Sequence, residues 1–322
     1  GTGPFKFVEW IRGSRFVMTR NTDYWRPGLP YLDQVVLRGI QNTETLQAAF
    51  LSGQTDIIMQ PSFQFVAQMK KDKKFVVLQP GGFGYDGVYM NLSEAPFNDQ
   101  RVRQAIAQSM DRELLLKTLM FGIPRLGYSP FGPGMAVSQP VPNYPKYDPA
   151  KAKALLAAYG KPVAFTLQYN NSPGSQRLAQ SLQEMWGQGG MKVELQPADQ
   201  NRLVQNMSSK QFVASLYRFT GRADPHINTH PFFHSQFADV TPSSNYGHYK
   251  NPKIDELLEK GVATIDPAKR KEIYAEVSKI LAEDLPYAYL FYVTDTIVMS
   301  KRVKGLVEVP DGLVRFGSIW LQ

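Results

Sequence analysis

The stretch Tyr89–Arg112, YMNLSEAPFNDQRVRQAIAQSMDR, carries the local signals that best predict the fold. Val88 and Met90 belong to an alternating pattern with a period of two, which is typical of a strand. Asp99 suits the N-cap of a helix, and the small or apolar side chains after it recur at helical spacing. Asp111 can cap a second helix. A strand, a turn and two helices in succession indicate a chain that mixes α and β elements.

Strand and helix patterns alternate on both sides of this stretch. Before it, helices are predicted from Thr43 to Gly53 and from Phe63 to Lys71, between short β-rich runs. After it, the predicted elements alternate as β-α-β-α-β, over Val163–Tyr169, Ser175–Trp186, Lys192–Gln196, Asp199–Ser208 and Phe212–Tyr217. The chain becomes β-rich again after Pro286. This order favours an α/β fold.

Composition and charge exclude several classes of protein. The 322 residues are 43% hydrophobic and 20% charged, which is typical of a globular chain. No cysteine is present, so disulfides and thiolate chemistry are excluded. No apolar run approaches the ~18 residues of a membrane-spanning helix. The net charge is +8, and the one dense basic run, Lys70–Lys74, is interpreted as a solvated helix end because no nucleic-acid-binding motif accompanies it. Nucleic acid is therefore not expected as a partner.

Several short segments resemble the family 5 extracellular solute-binding proteins, the peptide-, nickel- and opine-type receptors of ABC importers. Each segment alone is weak evidence, but their common order along the whole chain is specific. They are Gly1–Trp10 (GTGPFKFVEW), Asn21–Trp25, Leu51–Asp56, the motif positions from Asn91 to Arg112, Tyr147–Ala152 and Gly247–Pro252.

The resemblance implies a two-lobed fold like that of a periplasmic binding protein, of type II and similar to cluster C. Residues 1–88 would form part of lobe I, residues 89–293 an α/β lobe II, and residues 294–322 would return to lobe I. In the family a long segment precedes the one that matches GTGPF, so lobe I is expected to be incomplete. The first residue, Gly1, fits a processed or cloned piece of a longer protein.

The resemblance also implies a function. The chain would be the substrate-binding component of an ABC importer, which binds a peptide-like, opine-like or other polar solute in a cleft between lobes and delivers it to the transmembrane permease subunits. It would need no cofactor and catalyse no reaction. Its expected location is the periplasm, or the cell surface with a lipid anchor, and it would meet the membrane only through the permease or that anchor.

No catalytic motif was found in the sequence. Residues 82–87 match G-x-G-x-x-G, but a strand rather than a helix is predicted to follow, so the glycines are interpreted as a flexible connection at a hinge. There is no G-x-S-x-G, no H-E-x-x-H and no P-loop. A hydrolase whose catalytic residues lie in the preceding segment of the family stays open as an alternative.

Three of the four histidines, His226, His230 and His234, are spaced four residues apart, near Asp224. On one helix this spacing would place three imidazoles on one face, which suits a transition metal. Pro225 and Pro231 argue against a continuous helix, so no metal site is expected there. A nickel or metal-chelate receptor stays open as the minor alternative.

The loop after the predicted strand Phe212–Tyr217 is the most informative candidate for ligand binding, because α/β folds place such loops beside ligands. In peptide-binding members of the family the position that matches Arg222 looks to be an aspartate that pairs with the peptide ammonium, so the charge is inverted here. A surface ion pair of Arg222 with Asp224 or with another surface carboxylate is the structural alternative. The other candidates are taken from loops and strand ends, where packing is an equally good explanation: Phe83, Tyr85, Tyr128, Tyr169, Asn170, Phe219 and Asp224. Trp10, Trp25 and Trp186 are expected in cores.

Overall fold

A computed structural model describes residues 1–40 and 42–322. These residues divide into two compact units, a smaller one of residues 1–80 and 294–322 and a larger one of residues 81–293. The division falls several residues before position 88, where lobe I was expected to end. The reason is that the strand which opens the larger unit already begins at Gly81.

The described residues form thirteen strands and ten α-helices. The strands are β1 (Phe5–Ile11), β2 (Arg15–Arg20), β3 (Gln34–Arg38), β4 (Ile57–Met59), β5 (Phe75–Leu78), β6 (Gly81–Met90), β7 (Ala164–Asn170), β8 (Lys192–Ala198), β9 (Ala214–Phe219), β10 (Tyr287–Thr294), β11 (Ile297–Ser300), β12 (Val303–Lys304) and β13 (Trp320–Leu321). The helices are α1 (Thr43–Leu51), α2 (Phe63–Met69), α3 (Gln100–Gln108), α4 (Arg112–Thr118), α5 (Pro149–Tyr159), α6 (Pro173–Gln188), α7 (Gln200–Ser208), α8 (Pro225–Phe233), α9 (Pro252–Ala263) and α10 (Pro267–Asp284).

The smaller unit contains three small sheets. Strands β1, β2 and β3 form an antiparallel sheet with β2 in the centre. Strand β11 lies between β4 and β5 and is antiparallel to both, so the C-terminal part of the chain supplies the central strand of that sheet. Strands β12 and β13 form a two-stranded ladder. The segments that precede and follow the larger unit in sequence thus pair with each other in one sheet, through β4, β5 and β11.

The larger unit is built on a five-stranded sheet in the order β10-β6-β9-β7-β8. Strand β7 is parallel to β8 and β9, and β6 is antiparallel to β9. Helix α6 buries Leu178, Leu182 and Trp186, and the Trp186 indole donates a hydrogen bond of 3.2 Å to the carbonyl of Ile106 in α3. The α/β fold predicted from the sequence is confirmed.

Helix starts follow the capping signals read from the sequence. The side chain of Asp99 accepts the Arg101 N–H at 2.9 Å, and that of Asp111 accepts the Leu114 N–H at 2.8 Å. Helix α5 begins with Pro149 behind the cap Asp148 and ends at Gly160 in the left-handed region. Short polar side chains satisfy N–H groups that a helix start leaves without partners, which is why local sequence predicts these starts.

The interpretation of residues 82–87 as a flexible hinge connection is wrong, because all six lie within β6. A Cβ atom on Gly82 would overlap the carbonyl oxygen of Val293, and one on Gly84 would overlap that of Phe219. The glycines therefore allow the backbones that flank β6 to approach it closely.

Two of the three tryptophans expected in cores are exposed. Trp186 is fully buried, whereas Trp10 is 59% exposed and Trp25 is 65% exposed. Trp10 lies on the edge strand β1, and its ring contacts the Phe16 ring on β2 edge-on, with the ring centroids 6.4 Å apart. Alternation in a strand predicts two faces but does not say whether either face is covered.

Candidate functional site

The candidate site is the loop 220–224, which joins β9 to α8. Strand β9 is parallel to β7, with Tyr169 opposite Leu216, so the C-terminal ends of both strands point to the same edge of the sheet. Asn170, the last residue of β7, is half-buried at this edge, and its amide donates to Gln200 at 3.0 Å. Two of the predicted positions, Asn170 and Phe219, are thus the last residues of the paired strands β7 and β9, and both lie at this edge of the sheet.

The backbone of this loop is held by Asn228, a fully buried residue of α8. Its Oδ1 accepts the Arg222 N–H at 2.7 Å, and its Nδ2 donates to the Arg222 carbonyl at 2.7 Å. Gly221 has φ +75° and packs so tightly on Phe83 that a Cβ atom would collide with the Phe83 backbone. The loop therefore presents the Arg222 side chain from a fixed backbone.

Arg222 itself is exposed. Its Nη1 donates to the carbonyl of Gly221 at 2.7 Å, and no salt bridge to Arg222 occurs within the described residues. Most of its five guanidinium N–H groups are therefore available to a ligand or to water.

Arg222 forms no ion pair with Asp224 or with any other carboxylate of the described residues, so that structural alternative is wrong. The side chain of Asp224 caps α8 by accepting the His226 N–H at 2.8 Å. Both of its carboxylate oxygens lie 3.1 Å from Nη2 of Arg270, in α10. The Arg270 guanidinium also donates to the carbonyl of Gly261 at 3.0 Å. The carboxylate of Asp224 is thus already engaged by the start of α8 and by the Arg270 guanidinium, which offsets its negative charge.

The predicted aromatic positions separate into two groups. Phe83 and Phe219 are half-buried beside the loop, and the Phe219 ring packs 4.7 Å from that of Phe232. The prediction of Tyr85 on a loop is wrong, because Tyr85 lies in β6 and is fully buried, with its ring 4.8 Å from that of Tyr289. Burial raises the pKa of the Tyr85 hydroxyl. Tyr169 is also buried, so only Phe83 and Phe219 of these four have surface beside the loop.

Tyr128 lies in a different environment. Its half-buried ring covers the guanidinium of Arg112 at 4.9 Å and meets the ring of Tyr144 edge-on at 5.6 Å. Its N–H donates to the hydroxyl of Tyr292 at 3.3 Å. These contacts account for the position of the Tyr128 side chain by packing, without a ligand.

His226 and His230 lie on α8 and His234 directly follows its last residue, so the prolines do not break the helix, contrary to the expectation. Pro225 is at the first turn of α8 and Pro231 lies inside it. The ring centroids of His226, His230 and His234 follow one another at 4.5 and 4.7 Å. Burial, and then the two neighbouring imidazoles, lower the pKa of His230. In the part of the chain that is described, no three His, Asp or Glu side chains have a geometry that could hold a metal ion.

Sequence reasoning missed Asn228 and Arg270. Asn228 gives no local signal, because an asparagine inside a helix is usually solvent-exposed. Arg270 is separated from Asp224 by 46 residues, so only the packing of α10 against this region brings the two together.

The fold defines the class of protein. Known structures of periplasmic binding proteins superpose on nearly the whole chain. DppA from Helicobacter pylori, in complex with peptide STSA, matches with a TM-score of 0.85 and 26% identity over 100% of this chain. AgaA from A. tumefaciens R10, in complex with agropinic acid, matches with a TM-score of 0.85 and 26% identity over 99% of this chain. The matches cover 63% and 67% of those chains.

The chain belongs to the bacterial extracellular solute-binding proteins, family 5, whose middle region matches residues 1–239. A curated relative is the glutathione-binding protein GsiB of Pectobacterium atrosepticum, which is 27% identical over 330 aligned positions that cover 98% of this chain. The chain spans 63% of the length of that relative. Among the described residues, no helix is long and apolar enough to cross a membrane.

Proposed function

We propose that this chain is the larger part of the substrate-binding component of an ABC importer. Membership of family 5 is the observation that carries this proposal. The relatives and structures that it matches are named as binding proteins, which favours binding over the hydrolase alternative. Such a protein would work outside the cytoplasm, in the periplasm or anchored to the cell surface, and would deliver its solute to the transmembrane permease subunits.

The ligand proposed for the site is a solute with a carboxylate or another anionic group. Arg222 supports this class because its guanidinium is exposed, is held on a fixed loop and has no carboxylate partner within the described residues. A planar guanidinium offers paired donors that match a carboxylate or vicinal hydroxyls. Glutathione, for which the relative GsiB is named, and agropinic acid, which is bound in the AgaA structure, are both acidic.

A free ammonium group beside Arg222 would be repelled by like charge. The proposal therefore favours acidic solutes and N-terminally blocked peptides over peptides with a free amino terminus. Phe83 and Phe219 would supply apolar surface beside the charged group.

Calorimetry of ligand binding tests which sign of charge the ligand group beside Arg222 carries. The probes are a matched pair, the tetrapeptide STSA and its N-acetylated form, together with glutathione and agropinic acid. The unmodified protein, in its full-length form, should bind the acetylated peptide more tightly than the free one. Arg222→Asp should reverse that preference and weaken the acidic probes by about 2 kcal/mol or more, as expected when a charge pair is broken.

Arg202→Asp is the control, because Arg202 is an exposed arginine of α7 in the same unit. It makes the same change of charge and should leave the order of affinities unchanged. If Arg222→Asp keeps the preference of the unmodified protein, Arg222 does not contact the ligand. If the full-length protein binds none of the probes, the proposed ligand class is wrong.

A further inference from the structure

The basic run in the sequence is part of a larger charged surface on the smaller unit. Lys70, Lys71, Lys73 and Lys74 form the turn between α2 and β5, and all four are exposed. The turn after β11 adds the exposed Lys301 and Arg302, which lie more than 220 positions further along the chain. These six residues are called the basic edge.

The sheet brings the two turns together. Strand β5 begins where the antiparallel strand β11 ends, with Phe75 opposite Ser300. The Lys301 N–H donates to the carbonyl of Lys74 at 3.4 Å, so the lysine run and the second turn are in direct backbone contact. Since both turns belong to the same sheet, the six cations form one surface rather than two.

The cations of the basic edge have few counter-charges. Asp72 lies within the first turn, where its carboxylate accepts the Lys74 N–H at 2.9 Å. Asp56 lies beside the second, where its carbonyl accepts the Ser300 N–H at 3.0 Å. Within the described residues, no side-chain ion pair involves any of the six cations.

The basic edge therefore holds a large part of the excess charge of the chain. The two turns carry six cations, with Asp72 and Asp56 as the acidic residues in or beside them, whereas the net charge of all 322 residues is +8. Like charges at this density repel one another, and a partner of opposite charge would relieve that repulsion. Five of the six are lysines, whose ammonium groups are compact charges on flexible stems and do not require the fixed geometry of an arginine fork.

We propose that the basic edge binds the surface of a membrane rich in anionic lipid headgroups. A fluid array of headgroups suits flexible lysines, and each lysine held near such a surface adds to the attraction. Nucleic acid is less suitable, because the two turns carry no aromatic side chain at an exposed position that could stack on a base. The contact would hold the smaller unit at the membrane independently of any solute, so it does not depend on the ligand proposed for Arg222.

Vesicle co-sedimentation tests the proposal with phosphatidylcholine alone and with an equal mixture of phosphatidylcholine and phosphatidylglycerol. The chain should bind only the anionic vesicles, and about 0.5 M salt should release it because electrostatic attraction is screened within a few ångströms there. Lys71→Glu, Lys73→Glu and Lys301→Glu combined should lower the partition coefficient at least about tenfold.

Two further variants make the result specific. Lys151→Glu, Lys153→Glu and Lys161→Glu combined change the net charge equally on exposed positions of the larger unit, and should bind nearly as well as the unmodified chain. Lys→Arg at the three positions of the basic edge should retain binding, which separates charge from side-chain identity. Equal losses in the two triple Glu variants would show attraction by net charge alone, and would overturn the assignment of binding to the basic edge. Failure to bind anionic vesicles, or salt-sensitive binding to duplex DNA or polyglutamate without vesicle binding, would overturn the proposal.

Discussion

The core of the larger unit and the β1-β2-β3 sheet of the smaller unit use aromatic residues in opposite ways. In the larger unit, Trp186 and Tyr85 are fully buried and belong to one continuous core that joins the sheet to its helices. In the smaller unit, Phe7 is 63% exposed and Trp10 is 59% exposed, on a strand at the edge of a three-stranded sheet. The same residue types therefore contribute differently to stability, because apolar surface stabilises a fold only where folding removes it from water.

The strongest test of this comparison replaces one tryptophan in each unit. Trp186→Ala should lower the free energy of unfolding by about 3–5 kcal/mol, because it opens a cavity in a filled core and removes the hydrogen bond to Ile106. Trp10→Ala should change it by less than about 0.5 kcal/mol, since the side chain is mostly exposed. Urea unfolding followed by circular dichroism measures both.

Equal losses in the two variants would contradict the comparison. A large loss for Trp10→Ala would mean that the aromatic face of β1 is covered in solution. Because Trp10 and Trp186 are both tryptophans, the pair controls for residue type and leaves burial as the difference.

A second test uses two arginines that each lie over aromatic rings. Arg112 is buried in the larger unit, with its guanidinium 4.9 Å from the Tyr128 ring and 4.4 Å from the Tyr144 ring. It donates to the carbonyl oxygens of Gly127 and, at 3.0 Å, of Tyr289. Arg112→Met should cost about 3 kcal/mol, because the buried Gly127 carbonyl loses its side-chain donor and the cation–π contacts are lost. The Tyr289 carbonyl loses one donor but keeps the Tyr144 hydroxyl.

Arg12 of the smaller unit is the matched control, with its guanidinium 5.2 Å from the exposed Trp10 ring. Arg12→Met should change the free energy of unfolding by less than about 0.5 kcal/mol. The measurement is the difference between the two variants under the same denaturant. Similar values for both would show that the rings, rather than the buried carbonyls, determine the cost.

How far the sequence predicts this molecule depends on how local each feature is. Helix starts at Asp99, Asp148 and Asp266 are local, since a cap and the N–H groups it accepts lie within four residues. The position of β11 between β4 and β5 is not local, because its partners lie more than 200 residues earlier. A strand pattern predicts that a segment pairs, but not with which partner.

The candidate site shows the same limit. The loop after β9 and the charge of Arg222 could be predicted from the strand pattern and the resemblance. The pairing of Asp224 with Arg270, the burial of Tyr85 and the role of Asn228 depend on contacts between distant segments. Residues 82–87 illustrate the error that follows when glycines are interpreted locally, since their role is to let neighbouring backbones approach β6.

The smallest expected effect is a pH dependence in the smaller unit. Hydrogen bonds from Arg315, the largest cause, lower the pKa of Asp311 from 3.8 to about 2. Because the folded-state pKa lies below the unfolded one, this carboxylate stabilises the fold above about pH 4, and that contribution is lost as the pH falls towards 2. The side chain of Asp311 is 31% exposed and that of Arg315 is 52% exposed, so solvent screening limits the contribution to about 1 kcal/mol or less.

Asp311→Asn should therefore lower the free energy of unfolding slightly at pH 7, and the difference from the unmodified chain should shrink between pH 4 and pH 2. Glu308→Gln is the control, because Glu308 is an exposed carboxylate nearby with no ion pair within the described residues. Its unfolding free energy should follow that of the unmodified chain more closely across the same range. If the Asp311→Asn difference stays constant from pH 7 to pH 2, the carboxylate charge does not contribute, and the exposed ion pairs of the smaller unit add as little to stability as its exposed aromatic side chains.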